Sequence, residues 1–153
     1  MKAIAKPGLL RALRRSSWEF QTTFETPLDR LPQFVHAIVG AGPALEAATL
    51  ELDEVVFEPK HLLALSARHS ILQGGDSPRV IEATGAGEIE ELLAAALGDW
   101  VDFLFVPSPK PFVLYADHHE YATFFAHRRK GLTKVVAALS ACFTEVRGYR
   151  RRW

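Results

Sequence analysis

Four consecutive residues, Asp117, His118, His119 and Glu120, form the most reactive run of side chains in this sequence. Imidazoles and carboxylates together can exchange protons near neutral pH or ligate a metal ion, and a metal centre needs several nitrogen or oxygen ligands converging on one point. Adjacent histidines can both ligate from a loop, but this spacing matches no zincin-type motif. A third imidazole would have to arrive through the fold from His61, His69 or His127. A solvated hairpin tip or helix start explains the run without further partners. That is the expectation, with no metal and no cofactor assigned.

Two other places invite chemistry and yield to simpler readings. Thr84, Gly85, Ala86, Gly87 and Glu88 lie between a strand-like stretch and an acidic helix, where backbone N–H groups can cradle a phosphate. A dinucleotide fingerprint needs a further glycine at position 90, where this chain has Glu90. Glu88, Glu90 and Glu91 would also repel an anion, so a helix-entry turn is expected. Cys142 shares a helical stripe with Leu139, Phe143 and Val146, which makes it a buried small hydrophobe with a sluggish thiol. No Gly-x-Ser-x-Gly nucleophile elbow is present. No catalytic residue follows from the sequence.

Charge carries more information than any motif. The formal net charge is zero, yet residues 1–16 hold five basic groups and no acid, and residues 127–153 hold eight basic groups and only Glu145. The body between them carries 17 acidic groups against five basic ones. His127, Arg128, Arg129, Lys130 and Lys134, with Arg147, Arg150, Arg151 and Arg152, form a cluster that can meet phosphates, and Tyr149 and Trp153 can stack on bases. The acidic body repels a long polyanion, so the same cations equally suit a second copy or a solvated tail. His118, His119, Arg128, Arg129 and Lys130 are therefore the candidate binding residues.

These side chains need a scaffold, and the composition supplies one. With 153 residues, 48% apolar and 24% charged, the chain suits one globular domain that needs no metal or disulfide to fold. The single Cys142 forbids an intrachain disulfide and favours a reducing compartment, so the cytoplasm is the expected location. No run of 18 apolar residues exists, and no membrane association is expected. The acid-free N-terminus reads as a loosely ordered basic arm over 1–16, with an organelle transit segment as the alternative. Residues 17–148 then form the domain, and 149–153 a basic tail.

Periodicity places the elements. Trp18 to Glu25 alternates as a strand, and Thr26, Pro27 and Asp29 look like the cap and first turn of a helix carrying Leu31, Phe34, Val35 and Ile38. Thr49 to Phe57 reads as a strand whose phase breaks at Glu54, as a bulge does. His61 to Ala67 reads as a third strand, with a helical reading nearly as good, and Gln73 to Pro78 as a turn. Arg79 to Ala83 is strand-like, and Glu88 to Leu97 is a helix stopped by Gly98. Trp100 to Val106 is a central strand, turned by Pro107 to Lys110 into Phe112 to Ala116. Tyr121 to Ala126 is strand by its aromatic content, with a helix capped by Asp117 as the alternative, and Leu132 to Arg147 is a helix.

The expected class is α+β, with a mostly antiparallel sheet of about five to six strands and three helices mainly on one face. A well-patterned fold without site motifs points to a non-catalytic binding or regulatory module, with a homodimer mate or another protein as partner. The alternatives are a nucleic-acid binder using the basic C-terminal region, and a hydrolase or metal-dependent enzyme using Asp117 to Glu120.

Overall fold

The computed structural model describes residues 1–4, 8–72 and 75–151. In chain order its first elements are β1 (Lys2–Ala3), α1 (Leu9–Arg15), β2 (Phe20–Glu25), α2 (Leu31–Gly40), β3 (Ala47–Glu54) and α3 (Lys60–Arg68). Then follow β4 (Val80–Thr84), α4 (Gly85–Gly98), β5 (Asp102–Ser108), β6 (Val113–Asp117), β7 (Tyr121–Ala126) and α5 (Arg129–Ser140). Among the described residues the strands form one seven-stranded sheet in the order β1-β4-β3-β5-β6-β7-β2. Every neighbouring pair is antiparallel.

The class agrees with the sequence pattern, but seven strands and five α-helices exceed the five to six strands and three helices expected. Side-chain alternation explains the layers. Leu50 and Leu52 of β3, Phe103 and Phe105 of β5, and Phe124 of β7 point to one face, beneath Phe34 and Ile38 of α2, Ile89 and Leu92 of α4, and Leu139 of α5. The opposite face buries Leu104, Val113, Tyr115 and Phe125 under Leu10 and Leu13 of α1. Strands β5 to β7 are thus covered on both sides, which is why they read as continuous apolar runs.

Within the basic N-terminal segment Leu9–Arg15 forms α1, and Lys6 lies outside the described residues. Leu10 and Leu13 sit at helical spacing and are 6% and 3% exposed. The buried carboxylate of Glu51, on β3, accepts the backbone N–H groups of Gly8, Leu9 and Leu10 at 3.1, 2.6 and 3.1 Å. A negative charge thereby completes the otherwise unpaired donors at the start of α1.

Three other segments depart from their patterns. His61 to Ala67, expected as a strand, is helix α3. Asp99 decides this from across the fold, accepting the N–H groups of His61 at 3.0 Å and Leu62 at 2.7 Å while Leu62 and Leu65 turn inward. The helix expected from Thr26 begins only at Leu31, because Leu28–Arg30 is a 3-10 turn and the Thr26 N–H bonds to the Glu120 carbonyl at 2.8 Å. The last helix is Arg129–Ser140, not Leu132 to Arg147. Beyond Ser140 the chain turns back along β2, leaving Cys142 exposed rather than buried.

Other expectations hold in detail. Residues 121–126 are strand, and the β3–β5 register shifts between Leu52 and Glu54 as the broken phase implied. Trp18 departs from its pattern: expected as the first residue of the strand to Glu25, it lies outside β2 and packs on Phe125 at 5.9 Å, on the opposite face of the sheet from Phe24. Of the turn expected from Gln73 to Pro78, Gln73 and Gly74 fall outside the described residues.

Candidate functional site

A groove opens where α5 meets the end of the sheet. Gly131, in the first turn of α5, lies so close to the β5–β6 connection that a Cβ there would sit 2.2 Å from the Pro111 carbonyl oxygen. That approach brings the N-terminal half of α5 beside Phe112 and Ala126. The residues after α2, Ala41 to Pro43, and Trp18 from the N-terminal side complete an open groove of about 680 Å³. Its volume is in the usual range of about 300–1,000 Å³ for ligand pockets. Trp18 stacks on the His127 ring at 4.3 Å, and His127 Nδ1 lies 3.2 Å from the Ser17 carbonyl, so one wall is fixed by packing.

The floor is apolar and the rim is cationic. Lys110, Arg128, Lys130 and Lys134 line it beside the His127 ring, and among the described residues no Asp or Glu does. Arg128, Lys130 and Lys134 are exposed, and among the described residues none of the three has an ion-pair partner. The Lys110 ammonium stands 5.7 Å from the Trp18 ring. Cations crowded over an apolar, low-dielectric wall attract an anion more strongly than the same charges scattered in water.

A second, more polar recess of about 330 Å³ lies at the other end of β5 and β6, lined by Asp102, Asp117, His118, His119, Tyr149, Arg150 and Arg151. Buried Asp102 accepts the His118 backbone N–H at 2.8 Å and faces its Nδ1 at 2.7 Å. A carboxylate there holds the imidazole proton on Nδ1 and leaves Nε2 as the basic nitrogen. The Tyr115 hydroxyl donates to Asp53 at 2.9 Å and lies 3.3 Å from Asp102, while Arg14 also bonds Asp53 at 2.7 Å. Burial first, and then the bond to Asp53, push the Tyr115 phenol well above its usual range, so it stays protonated.

Asp117 is occupied structurally. Its Oδ1 accepts the N–H groups of His119 and Tyr121 at 3.1 and 3.2 Å, and its Oδ2 pairs with Arg151. The Arg151 guanidinium in turn lies 3.9 Å above the Tyr115 ring. The Asp117 to Glu120 run is therefore a hairpin tip, with Glu120 at positive φ. The other histidines do not join it: His61 bonds Asp99 at 2.6 Å, His69 lies 3.6 Å from Glu91, and His127 belongs to the groove. Among the described residues, no three His, Cys, Asp or Glu side chains are grouped to hold a metal ion.

The glycine turn at Gly85 is filled by its own helix. Glu88 accepts the Thr84 N–H at 2.9 Å and pairs with the N-terminal ammonium at 2.6 Å. These bonds, the ammonium's foremost, hold the Glu88 carboxyl down at about 2.

Of the residues singled out from the sequence, Arg128 and Lys130 come together at the groove, while His118 and His119 line the separate recess. Arg129 turns away, its guanidinium 5.6 Å from the Phe20 ring. The basic C-terminal cluster is thus divided between two ends of the sheet, and Arg152 and Trp153 lie outside the described residues. Trp18, Lys110, Phe112 and the Ala41–Pro43 segment escaped sequence reasoning, because only the tertiary fold brings them to α5. No protein-family model, no curated protein and no solved structure matches this chain.

Proposed function

We propose that the domain is a non-catalytic binding module whose groove at α5 takes a ligand, or a segment of a partner, with an apolar body and negative charge. The observation that carries this reading is the pairing of an apolar floor with four cationic rim residues, Lys110, Arg128, Lys130 and Lys134, and, among the described residues, no acid. Burying apolar surface stabilises a complex by roughly 25 cal/mol per Å², and the cations select among apolar ligands for those bearing an anion.

The probe is anilinonaphthalene sulfonate, an aromatic body with one sulfonate, titrated by fluorescence into the folded protein. Saturable binding at one site is expected, weakened more than about tenfold by Lys130→Glu/Lys134→Glu through like-charge repulsion. Both lysines are exposed, so the fold tolerates the change. Unsaturable binding, or an affinity indifferent to the two charges, removes the groove as the site.

A second reading, hydrolysis at the polar recess, is favoured by Asp102 holding His118 Nδ1 at 2.7 Å. There Nε2 would take a proton from water as the water oxygen bonds to an ester carbonyl carbon, and would return that proton to the leaving oxygen as the C–O bond breaks, releasing the acid and the alcohol. Ester hydrolysis abolished by His118→Ala in a folded variant supports that reading; turnover unchanged by His118→Ala discards it.

A further inference from the structure

The groove has a counterpart on the same molecule, at the opposite end of the sheet. β3 enters beside the β5–β6 connection, where Ala47 pairs with Ser108, and leaves where Glu54 pairs with Asp102. At about 3.4 Å per residue its eight residues separate the two ends by roughly 24 Å. Immediately past that far end the chain presents Glu54, Val55, Val56, Phe57 and Glu58, all exposed. Val55, Val56 and Phe57 are 45%, 46% and 54% exposed, and Trp100, 37% exposed, meets the Phe57 ring edge-on at 6.2 Å. Scattered surface apolar residues need no explanation, but three in succession beside an exposed tryptophan form a patch.

The two features are complementary in kind. The tongue is apolar in the middle and acidic at both ends, and neither the Glu54 nor the Glu58 carboxylate has a hydrogen-bond or ion-pair partner among the described residues. The groove is apolar in the middle and basic around its rim. One molecule cannot bring its own tongue to its own groove, because the sheet stands between them.

We propose that the occupant of the groove is the Glu54–Glu58 tongue of a second copy of this chain, so that molecules join head to tail. Such an interface joins two different surfaces, and it propagates into an open chain or closes into a ring according to the rotation between copies. The inference rests on the groove being a binding site and goes beyond it by naming the partner.

The test is sedimentation velocity from micromolar to millimolar protein. The wild-type mass is expected to climb above the 17.0 kDa of one chain, and to fall back as salt is raised. A tongue variant, Val56→Ser/Phe57→Ser/Glu58→Ser, and a groove variant, Lys130→Glu/Lys134→Glu, are each expected to stay monomeric alone. Mixed in equal amounts, they are expected to give a one-to-one dimer that grows no further, because one intact tongue meets one intact groove. A wild type that remains at one chain mass, a mixture that stays monomeric, or a variant that associates alone as the wild type does overturns the proposal. Anilinonaphthalene sulfonate added to the tongue variant, whose groove is free, separates the two levels. Saturable dye binding beside a monomeric wild type discards the partner and leaves the groove; no dye binding discards the groove reading as well.

Discussion

Removing the Glu51 side chain should release α1 from the back of the sheet. Its buried carboxylate accepts three successive backbone N–H groups, from Gly8, Leu9 and Leu10, with the shortest bond 2.6 Å. Hydrogen bonds to a charged acceptor contribute about 1.5–3 kcal/mol each, but three donors sharing one carboxylate are not additive. Glu51→Ala is therefore expected to cost about 2–4 kcal/mol, since it also strands donors beside an apolar cluster. For a domain of this size that lowers Tm by about 5–15 °C. Glu51→Gln keeps one acceptor oxygen and should lose about half as much. Chemical denaturation measures the total, and amide exchange over residues 9–15 localises it. If Glu51→Ala stays within about 0.5 kcal/mol of wild type with α1 amides still protected, the docking of α1 rests on Leu10 and Leu13 alone.

Three further outcomes follow from other contacts. Gly131→Ala forces a methyl to 2.2 Å from the Pro111 carbonyl, so it should destabilise by about 1–3 kcal/mol and weaken dye binding in the groove, read by unfolding and by titration. Thr23 and Thr123 share a buried hydrogen bond of 3.0 Å; Thr123→Val should cost about 1–3 kcal/mol, and adding Thr23→Val should recover most of it, a double-mutant cycle that equal additive losses would contradict. Glu88 has its pKa lowered from 4.5 to about 2, so its contribution is complete above the unfolded value and disappears as pH falls through that interval. Glu88→Gln should accordingly flatten the acid limb of stability between about pH 4.5 and 2, checked by thermal melts across that range.

Local pattern was a good guide where one element's side chains settle its own conformation. β5 could be read from an apolar run that burial on both faces explains, and the helix of Ile89, Leu92 and Leu93 from its periodicity, while β7 rested on its aromatic content against a helical alternative. It was a poor guide where a distant group decides. His61 to Ala67 has strand and helix patterns in near balance, and Asp99, 38 residues away from His61, tips it to helix. Leu9 to Arg15 shows only two inward leucines, and Glu51 supplies the missing partner for its N-terminus. The candidate site divides in the same way. The cations at 128, 130 and 134 are plain in the sequence, yet they make a groove only because Trp18, Pro43 and Phe112 arrive from three other segments. The charge asymmetry was visible without any structure; its division between two ends of the sheet was not.

The course of the chain after α5 bears on how copies of this molecule can meet. Past Ser140 it returns along the outer edge of β2, where the Glu25 N–H bonds the Thr144 carbonyl at 3.0 Å and the Val146 N–H bonds the Thr23 carbonyl at 2.9 Å. At the opposite edge β4 is covered by β1, only two residues long. Long bare edges are templates on which further strands polymerise, and short or covered ones resist it. Growth of the sheet from molecule to molecule is thereby disfavoured on both sides, which leaves association to side-chain surfaces. Contacts of that kind respond to salt, to single charges and to dilution, so they can be made and unmade while the sheet itself stays intact.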